Sequence, residues 1–532
     1  MRTGFICAEF ICLAAEGPSP ATSWDVTAMQ NRIFPISVLL PLAVAGALHA
    51  APAATSVEKG KYLATAGDCV SCHTAPGGQP LAGGLSVSTP FGTMLTPNIT
   101  PDKDTGIGAY TDDQFYKVLH EGIGPDHRYL YPVFPFQWYT RITRDDALAI
   151  KAYLFSLPPV HAENKVNQLR FPFNIRASLI GWRQIFFKAG TFQPDPAKSA
   201  EINRGRYLVT GLGHCGECHT AHNGLGGTEK SNAYQGAEID GWYAPNITSD
   251  LAEGIGGWSQ DQLVAYFKTG IAPGKGIVAG PMAEVVQESL SKLTDADLRA
   301  IAAYLKSIPP KQAFPDTRPA TATAYAPPGS GVYLDFCASC HQQNGVGVPG
   351  VIPALKGNGS VLAQGPENVI MVILGGLSAK GDYAAMPAVG AGMTDQQVAE
   401  VANYVRTAWT NKAPATASAG GVADLRKKTQ TMLAGDECAM PEARISNPKS
   451  GITELLTTMT RTDMLNRIDP IVAKAKAAAP GAGRAELVNN LTAAYCPIVR
   501  QDPEISADRK ADQLATFSQL VYSRLHSPNE RW

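Results

Sequence analysis

The chain has 532 residues, enough for three or four domains of ordinary size. Hydrophobic residues make up 45% of it and charged residues 17%, a balance that excludes a disordered chain. The formal net charge of −1 gives no field for nucleic acid, which is not an expected partner.

From Met29 the chain reads "MQNRIFPISVLLPLAVAGALHAAPA": Arg32, an apolar run, then small residues. This predicts an export signal cleaved near Ala50 or Ala53, with residues 1–28 as an upstream extension and a retained anchor as the alternative. Cys7 and Cys12 fall in the part expected to be lost. No later run reaches the ~18 apolar residues of a spanning helix, and "VIMVILGGL" (369–377) is far too short.

A helix containing G-x-Y-L (Gly60 to Leu63) leads into "CVSCH" (Cys69, Cys72, His73). The arrangement returns as Gly205 to Leu208 before "CGECH" (Cys215, Cys218, His219), and as Gly331 to Leu334 before "CASCH" (Cys337, Cys340, His341). Each copy ends in a further predicted helix: "TRDDALAIKAYL" from Thr143, "TDADLRAIAAYL" from Thr294 and "TDQQVAEVANYV" from Thr394. Thr is the N-cap in each, and Asp146, Asp297 or Gln397 three residues on makes or approaches a capping box. A Tyr follows ten residues after each Thr: Tyr153, Tyr304 and Tyr404. Three such copies predict an all-α chain of three tandem domains, each a helix, a motif, loops and a final helix. The expected boundaries are 54–160, 201–312 and 325–412, with an interdomain strap over 161–200 and a C-terminal helical domain over 423–532. In that last domain "ITELLTTMTRTDMLNRI" and "KADQLATFSQLVYSRL" read as helices. Cys438 and Cys496 stand alone there, and in an oxidising compartment they most simply form a disulfide.

In C-x-x-C-H the cysteines reach the two vinyl groups of a porphyrin, and the His becomes the proximal iron ligand. A redox dithiol would not need the trailing His, and zinc sites would use the motifs in pairs. The expected cofactors are therefore three covalently bound haem c, with His73, His219 and His341 as iron ligands. "GLGHCG" (211–216) matches G-x-G-x-x-G only formally, without strand–turn–helix context.

Distal methionines are expected in the loop before each final helix: Met282 in "AGPMAEVV" and Met386 in "YAAMPAVG", with Met393 as a rival. The first domain differs. "VLHEGI" places Gly122 opposite Gly270 of "YFKTGI"; twelve residues after Gly270 comes Met282, but twelve after Gly122 comes Phe134. His127 is the favoured ligand there; Met94, His120 and an open iron behind Phe134 are the alternatives.

"GHCGECHT", "PNIT", "AGPMAEVV" and "LTDADLRAIAAYLKSIPP" resemble the triheme cytochrome c subunits of bacterial periplasmic dehydrogenases, over roughly residues 56–412. The resemblance implies class I cytochrome c domains passing electrons from a catalytic subunit to quinone or a terminal oxidase. "YPVFPF" and "RFPFNIRASLIGW" are more similar to the branch serving molybdenum hydroxylases or aldehyde-oxidising enzymes. The expected protein is periplasmic, soluble or peripherally attached to the membrane, and an electron-transfer subunit rather than a catalytic one. A peroxidase-like enzyme or a redox sensor with an open first haem is the alternative. The aromatic and Arg-rich run Phe171–Phe187 is expected to be a strap buried between domains, with a membrane or partner surface as the other reading.

Overall fold

The computed structural model describes residues 55–311, 327–433 and 451–480, apart from Pro387 and Arg461, and scattered helical positions between 487 and 525. The expected export signal, the upstream extension, Cys7, Cys12, Cys438 and Cys496 lie outside the described residues. Among the described residues no helix is long and apolar enough to cross a membrane.

The chain is mainly helical. α1 (Ser56–Ala66) runs into a helical turn carrying the first cysteine pair, α2 (Cys69–Cys72). A hairpin of β1 (Ser86–Thr89) and β2 (Gly92–Leu95) follows, then α3 (Asp112–Glu121), the short α4 (Phe136–Tyr139) and α5 (Arg144–Phe155). The strap adds β3 (Gln168–Leu169) antiparallel to β2, and α6 (Ser178–Phe186). The plan then repeats: α7 (Ala200–Thr210), α8 (Gly216–His219), the hairpin β4 (Ala237–Ile239) and β5 (Trp242–Ala244), α9 (Gln260–Thr269), α10 (Pro281–Glu288) and α11 (Asp295–Ser307). It repeats again, without that hairpin, in α12 (Ser330–Phe336), α13 (Ala338–His341), α14 (Glu367–Gly375) and α15 (Asp395–Thr407).

In each segment the first helix packs on the last: α1 on α5, α7 on α11, α12 on α15. Glycine makes the close crossing. A Cβ on Gly60 would lie 1.8 Å from the Ala149 carbonyl oxygen, and one on Gly205 1.8 Å from that of Ala300. In the third segment the G-x-Y-L register slips. Gly331 has no atom within 4 Å of a Cβ, Gly329 takes the crossing against the Glu400 carbonyl at 2.2 Å, and Leu334 is 53% exposed. The reason is spacing: Gly331 stands six residues before Cys337, whereas Gly60 and Gly205 stand nine and ten before their cysteines.

The final helices start where expected. Thr143, Thr294 and Thr394 accept the backbone N–H of Asp146, Asp297 and Gln397, each at 3.2 Å. Of these three, Gln397 alone closes a reciprocal capping box; both aspartates are used elsewhere. α14, the apolar "VIMVIL" segment, is a core helix with Ile370, Met371, Ile373 and Leu374 buried. α16 (Ala419–Leu433) begins between the expected third domain and the expected C-terminal domain, and packs on α14 and α15 through buried Val422 and Leu425.

Beyond it, α17 (Ile452–Thr457) and α18 (Met464–Ala478) divide what reads as one helix, Asp463 accepting the Thr460 N–H at the break. They share a separate core with Leu487, Leu491, Tyr495, Phe517, Val521 and Leu525.

Candidate haem sites

The three motif histidines are held alike. His73 Nδ1 lies 2.8 Å from the Pro97 carbonyl oxygen, His219 Nδ1 2.7 Å from that of Pro245, and His341 Nδ1 3.1 Å from that of Pro353. A carbonyl only accepts, so each Nδ1 carries the proton and each Nε2 keeps its lone pair. Such a bond fixes the ring and raises its basicity toward a metal. Burial lowers the proton affinity of all three imidazoles, His341 to about 4, so they stay neutral as iron ligands must be. The prolines were legible only in part. "PNIT" at Pro97 and Pro245 recurs in the sequence without revealing its role, and Pro353 in "VIPAL" carries no such signal.

The six motif thiols are unpaired. Burial pushes Cys69, Cys215, Cys218 and Cys337 up to about 12 and Cys72 to about 11, and raises Cys340. Redox dithiols and zinc sites need the opposite, a stabilised thiolate. A cavity of about 350 Å³ opens beside Cys69, lined also by Ala64, Val70, Leu81, Tyr153 and Leu157. Neutral imidazoles held at Nδ1, a pair of thiols on one helical turn at each site and, at the first, an adjoining apolar cavity fit covalently attached porphyrin.

The distal candidates are placed unequally. α3 and α9 end at Gly122 and Gly270, both in the left-handed region at φ 63° and 76°, as cap residues without a Cβ can be. Eight residues on, Leu130 donates to the Gly122 carbonyl at 2.9 Å and Val278 to that of Gly270 at 2.8 Å. Four residues further stand Phe134 and Met282, so the register read from the sequence holds in space. Met282 is the second residue of α10, after Pro281, and the N-cap Gly280 is packed against Trp242. Met386 pairs with Leu377 through bonds of 2.8 and 2.9 Å and packs on the third core, whereas Met393 is buried within that core.

In the first segment Phe134 packs into the core, edge-on to Tyr139 at 5.5 Å. His127 lies exposed at the tip of a tight turn, at φ 62°, its N–H on the Gly124 carbonyl. His120 stacks on Tyr116 at 4.8 Å, and Met94 is buried in β2 opposite Val87.

Residues outside the motifs bring the first two sites together. Trp138 Nε1 donates to Glu217, and its ring fills the space a Cβ on Gly216 would need. His214 is edge-on to Tyr139 at 5.7 Å, while Tyr139 Oη donates to the Gly67 carbonyl at 3.0 Å. α10, which carries Met282, packs on α2, which carries the first cysteine pair. Little in the sequence marks these contacts, because they join residues remote along the chain.

A fold of paired terminal helices around proline-held imidazoles and Cys-x-x-Cys turns is that of a protein carrying haem on its own cysteines. The chain belongs to the cytochrome c family, whose profile matches residues 57–158, 202–309 and 326–409. Membership implies covalently bound haem c. The chain is 40% identical over 395 residues to "Alcohol dehydrogenase (quinone), cytochrome c subunit" of Komagataeibacter europaeus, covering 70% of this chain and 84% of that one. It is 39% identical over 396 residues to "Gluconate 2-dehydrogenase cytochrome c subunit" of Pantoea cypripedii, covering 70% and 89%. To a nicotinate dehydrogenase subunit of Pseudomonas putida it is 40% identical over 376 residues, 68% of this chain but only 31% of that longer protein.

Proposed function

We propose that the protein is an exported triheme cytochrome c that carries electrons singly from a catalytic dehydrogenase subunit to the respiratory chain. The observation that carries the reading is the thrice-repeated Nδ1–proline bond behind a Cys-x-x-Cys turn. Haem c, when bound, supplies a one-electron iron couple. The chain's own residues attach it, orient its ligands and exclude water. Cys69 with Cys72, Cys215 with Cys218, and Cys337 with Cys340 hold the porphyrins. His73, His219 and His341 ligate on one side, and Met282 and Met386 on the other at the second and third sites. A thioether at that position favours the reduced state. At the first site Phe134 offers no donor, and His127 is the proposed ligand, with Met94 and His120 as competitors.

The haem domains are 54–160, 201–312 and 325–412, followed by a C-terminal helical domain over 423–532. The partner is a dehydrogenase, and "YPVFPF" favours a molybdenum hydroxylase or aldehyde-oxidising type. Identity alone does not divide the branches, being about 40% to the relatives of both. The acceptor is quinone, as the name of the alcohol dehydrogenase relative suggests, or a terminal oxidase. The protein works on the periplasmic side, soluble or peripherally attached to the membrane.

The alkaline pyridine spectrum of purified protein should give three haems per chain, and a catalytic subunit should co-purify. Absence of porphyrin mass on the polypeptide refutes the reading. Phe134 leaves room for one rival, a catalytic or sensing first haem. Rapid stoichiometric carbon monoxide binding at one haem of the reduced protein would favour that rival.

A further inference from the structure

The strap is not buried between segments as expected. One face is anchored: β3 pairs with β2, Leu179 is buried, Trp182 Nε1 donates to the Leu225 carbonyl at 2.9 Å, and Arg183 lies over Tyr129, Phe136 and Phe187. The other face points to solvent and is apolar. Val166 is 86% exposed, Phe171 79%, Ile185 70% and Ile180 50%, and Ile175 is exposed with them. On α6, Ile180, Gly181, Gln184 and Ile185 form the outward stripe, consistent with their helical spacing. Isolated apolar side chains on a surface need no explanation, but five of the thirteen large apolar residues exposed among the described residues fall on this one strap, between 166 and 185, which marks it as a docking surface.

Charge identifies the occupant. Between Glu163 and Asp195 there is no acidic residue, while Lys165, Arg170, Arg176, Arg183 and Lys188 are all basic. Lys165, Arg170 and Lys188 are exposed, next to Val166 and Phe171 and three residues after Ile185 in the chain. A short amphipathic helix with outward isoleucines, a neighbouring exposed Phe and flanking cations fits the interface of an acidic bilayer, where the apolar face enters the acyl boundary and the cations meet phosphates. We propose that the outward face of residues 165–188 docks on an acidic phospholipid surface. The strap also holds the loop of Tyr129 and Tyr131, with Arg176 Nη1 donating to the Tyr129 carbonyl at 2.6 Å and its guanidinium over the Tyr131 ring.

The test is co-sedimentation of the full-length holoprotein with phosphatidylcholine vesicles, with and without phosphatidylglycerol. Wild type should bind the acidic vesicles, and salt should weaken the binding. Ile180→Asp with Ile185→Asp should weaken it by roughly tenfold or more, given the apolar area these side chains contribute. Arg170→Glu with Lys188→Glu should abolish the preference for phosphatidylglycerol. These side chains are on the surface, so the haem spectrum should stay unchanged and report an intact fold. Comparison with wild type also isolates the strap from any contribution of the chain before residue 55. The proposal is overturned if wild type binds neither vesicle, or if the variants bind like wild type. It is also overturned if the isoleucine variant keeps its lipid binding but loses a co-purifying subunit, which would make the strap a protein interface. The inference deepens the membrane-peripheral part of the proposed function and does not depend on the haem count, so haem content and vesicle binding fail separately.

Discussion

Where the first segment meets the second, Tyr62 Oη donates to Asp297 at 2.7 Å and accepts the Thr294 N–H at 3.2 Å. In return, Tyr207 Oη donates to Asp146 and accepts the Thr143 N–H at 3.2 Å. Each aspartate also binds a cation of its own segment, Asp146 to Lys59 at 2.6 Å and Asp297 to Arg204 through two bonds of 2.8 and 2.7 Å. These residues hold equivalent places in the two copies, so the contact is isologous, as between the subunits of a twofold dimer. The third segment joins differently. Asn368 exchanges two bonds with the Tyr243 backbone, at 2.8 and 2.9 Å, and Trp242 packs into the third core. Leu425 and Lys428 of α16 close over Gly241. In the third copy Tyr333 bonds the Gln342 carbonyl of its own segment, and Gln397 replaces aspartate. Sequence repeats do not therefore imply repeated contacts. Two copies pair through the faces they share, and the third is held by a hairpin it lacks.

The glycines give the largest expected contrast. Gly205→Val pushes a side chain into the Ala300 carbonyl and should cost about 3 kcal/mol or more by overpacking, whereas Gly331→Ala in the matching motif should change stability by less than ~0.5 kcal/mol. Thermal unfolding of both variants checks this, and equal losses would restore the register expected from the motif.

Next comes the junction itself. Tyr207→Phe strips a hydrogen bond from a buried carboxylate and should cost about 1.5–3 kcal/mol. In a double-mutant cycle with Asp146→Asn the losses should be non-additive. Tyr333→Phe should leave proteolysis between the first and second segments unchanged.

Arg426 binds Asp395 at 2.8 Å and the carbonyls of Gly390 and Met393 at 2.9 and 3.0 Å, which fixes the loop after Met386. On the proposed ligation by Met386, Arg426→Gln should weaken the methionine–iron charge-transfer band at one haem and cost about 1–2 kcal/mol in denaturant titrations. Among the described residues no similar clamp ties the second site's loop to α16, so the second haem should be unaffected.

The smallest effect depends on pH. Burial, with Glu284 and Glu288 nearby, pushes Asp68 from 3.8 up to about 7. Its folded-state affinity for protons exceeds the unfolded one, so stability falls as pH rises from about 4 to 7. Asp68→Asn should match wild type near pH 4 and exceed it at pH 8. Urea midpoints at the two values test this, and a gain confined to acid pH would reverse the assignment.

The sequence by itself determined the three Cys-x-x-Cys-His turns, the Thr143, Thr294 and Thr394 caps, and the alignment that puts Phe134 opposite Met282. Each is a local pattern, written within a few turns of chain and set by hydrogen bonds close in sequence. Tertiary structure decided the rest. It chose Gly329 over Gly331, drew Asp146 and Asp297 out of their capping boxes, gave α16 to the third core and turned the strap's isoleucines to solvent. Those outcomes depend on which surfaces meet, and a side chain's partners across a packed junction lie tens or hundreds of residues away, where no short pattern records them.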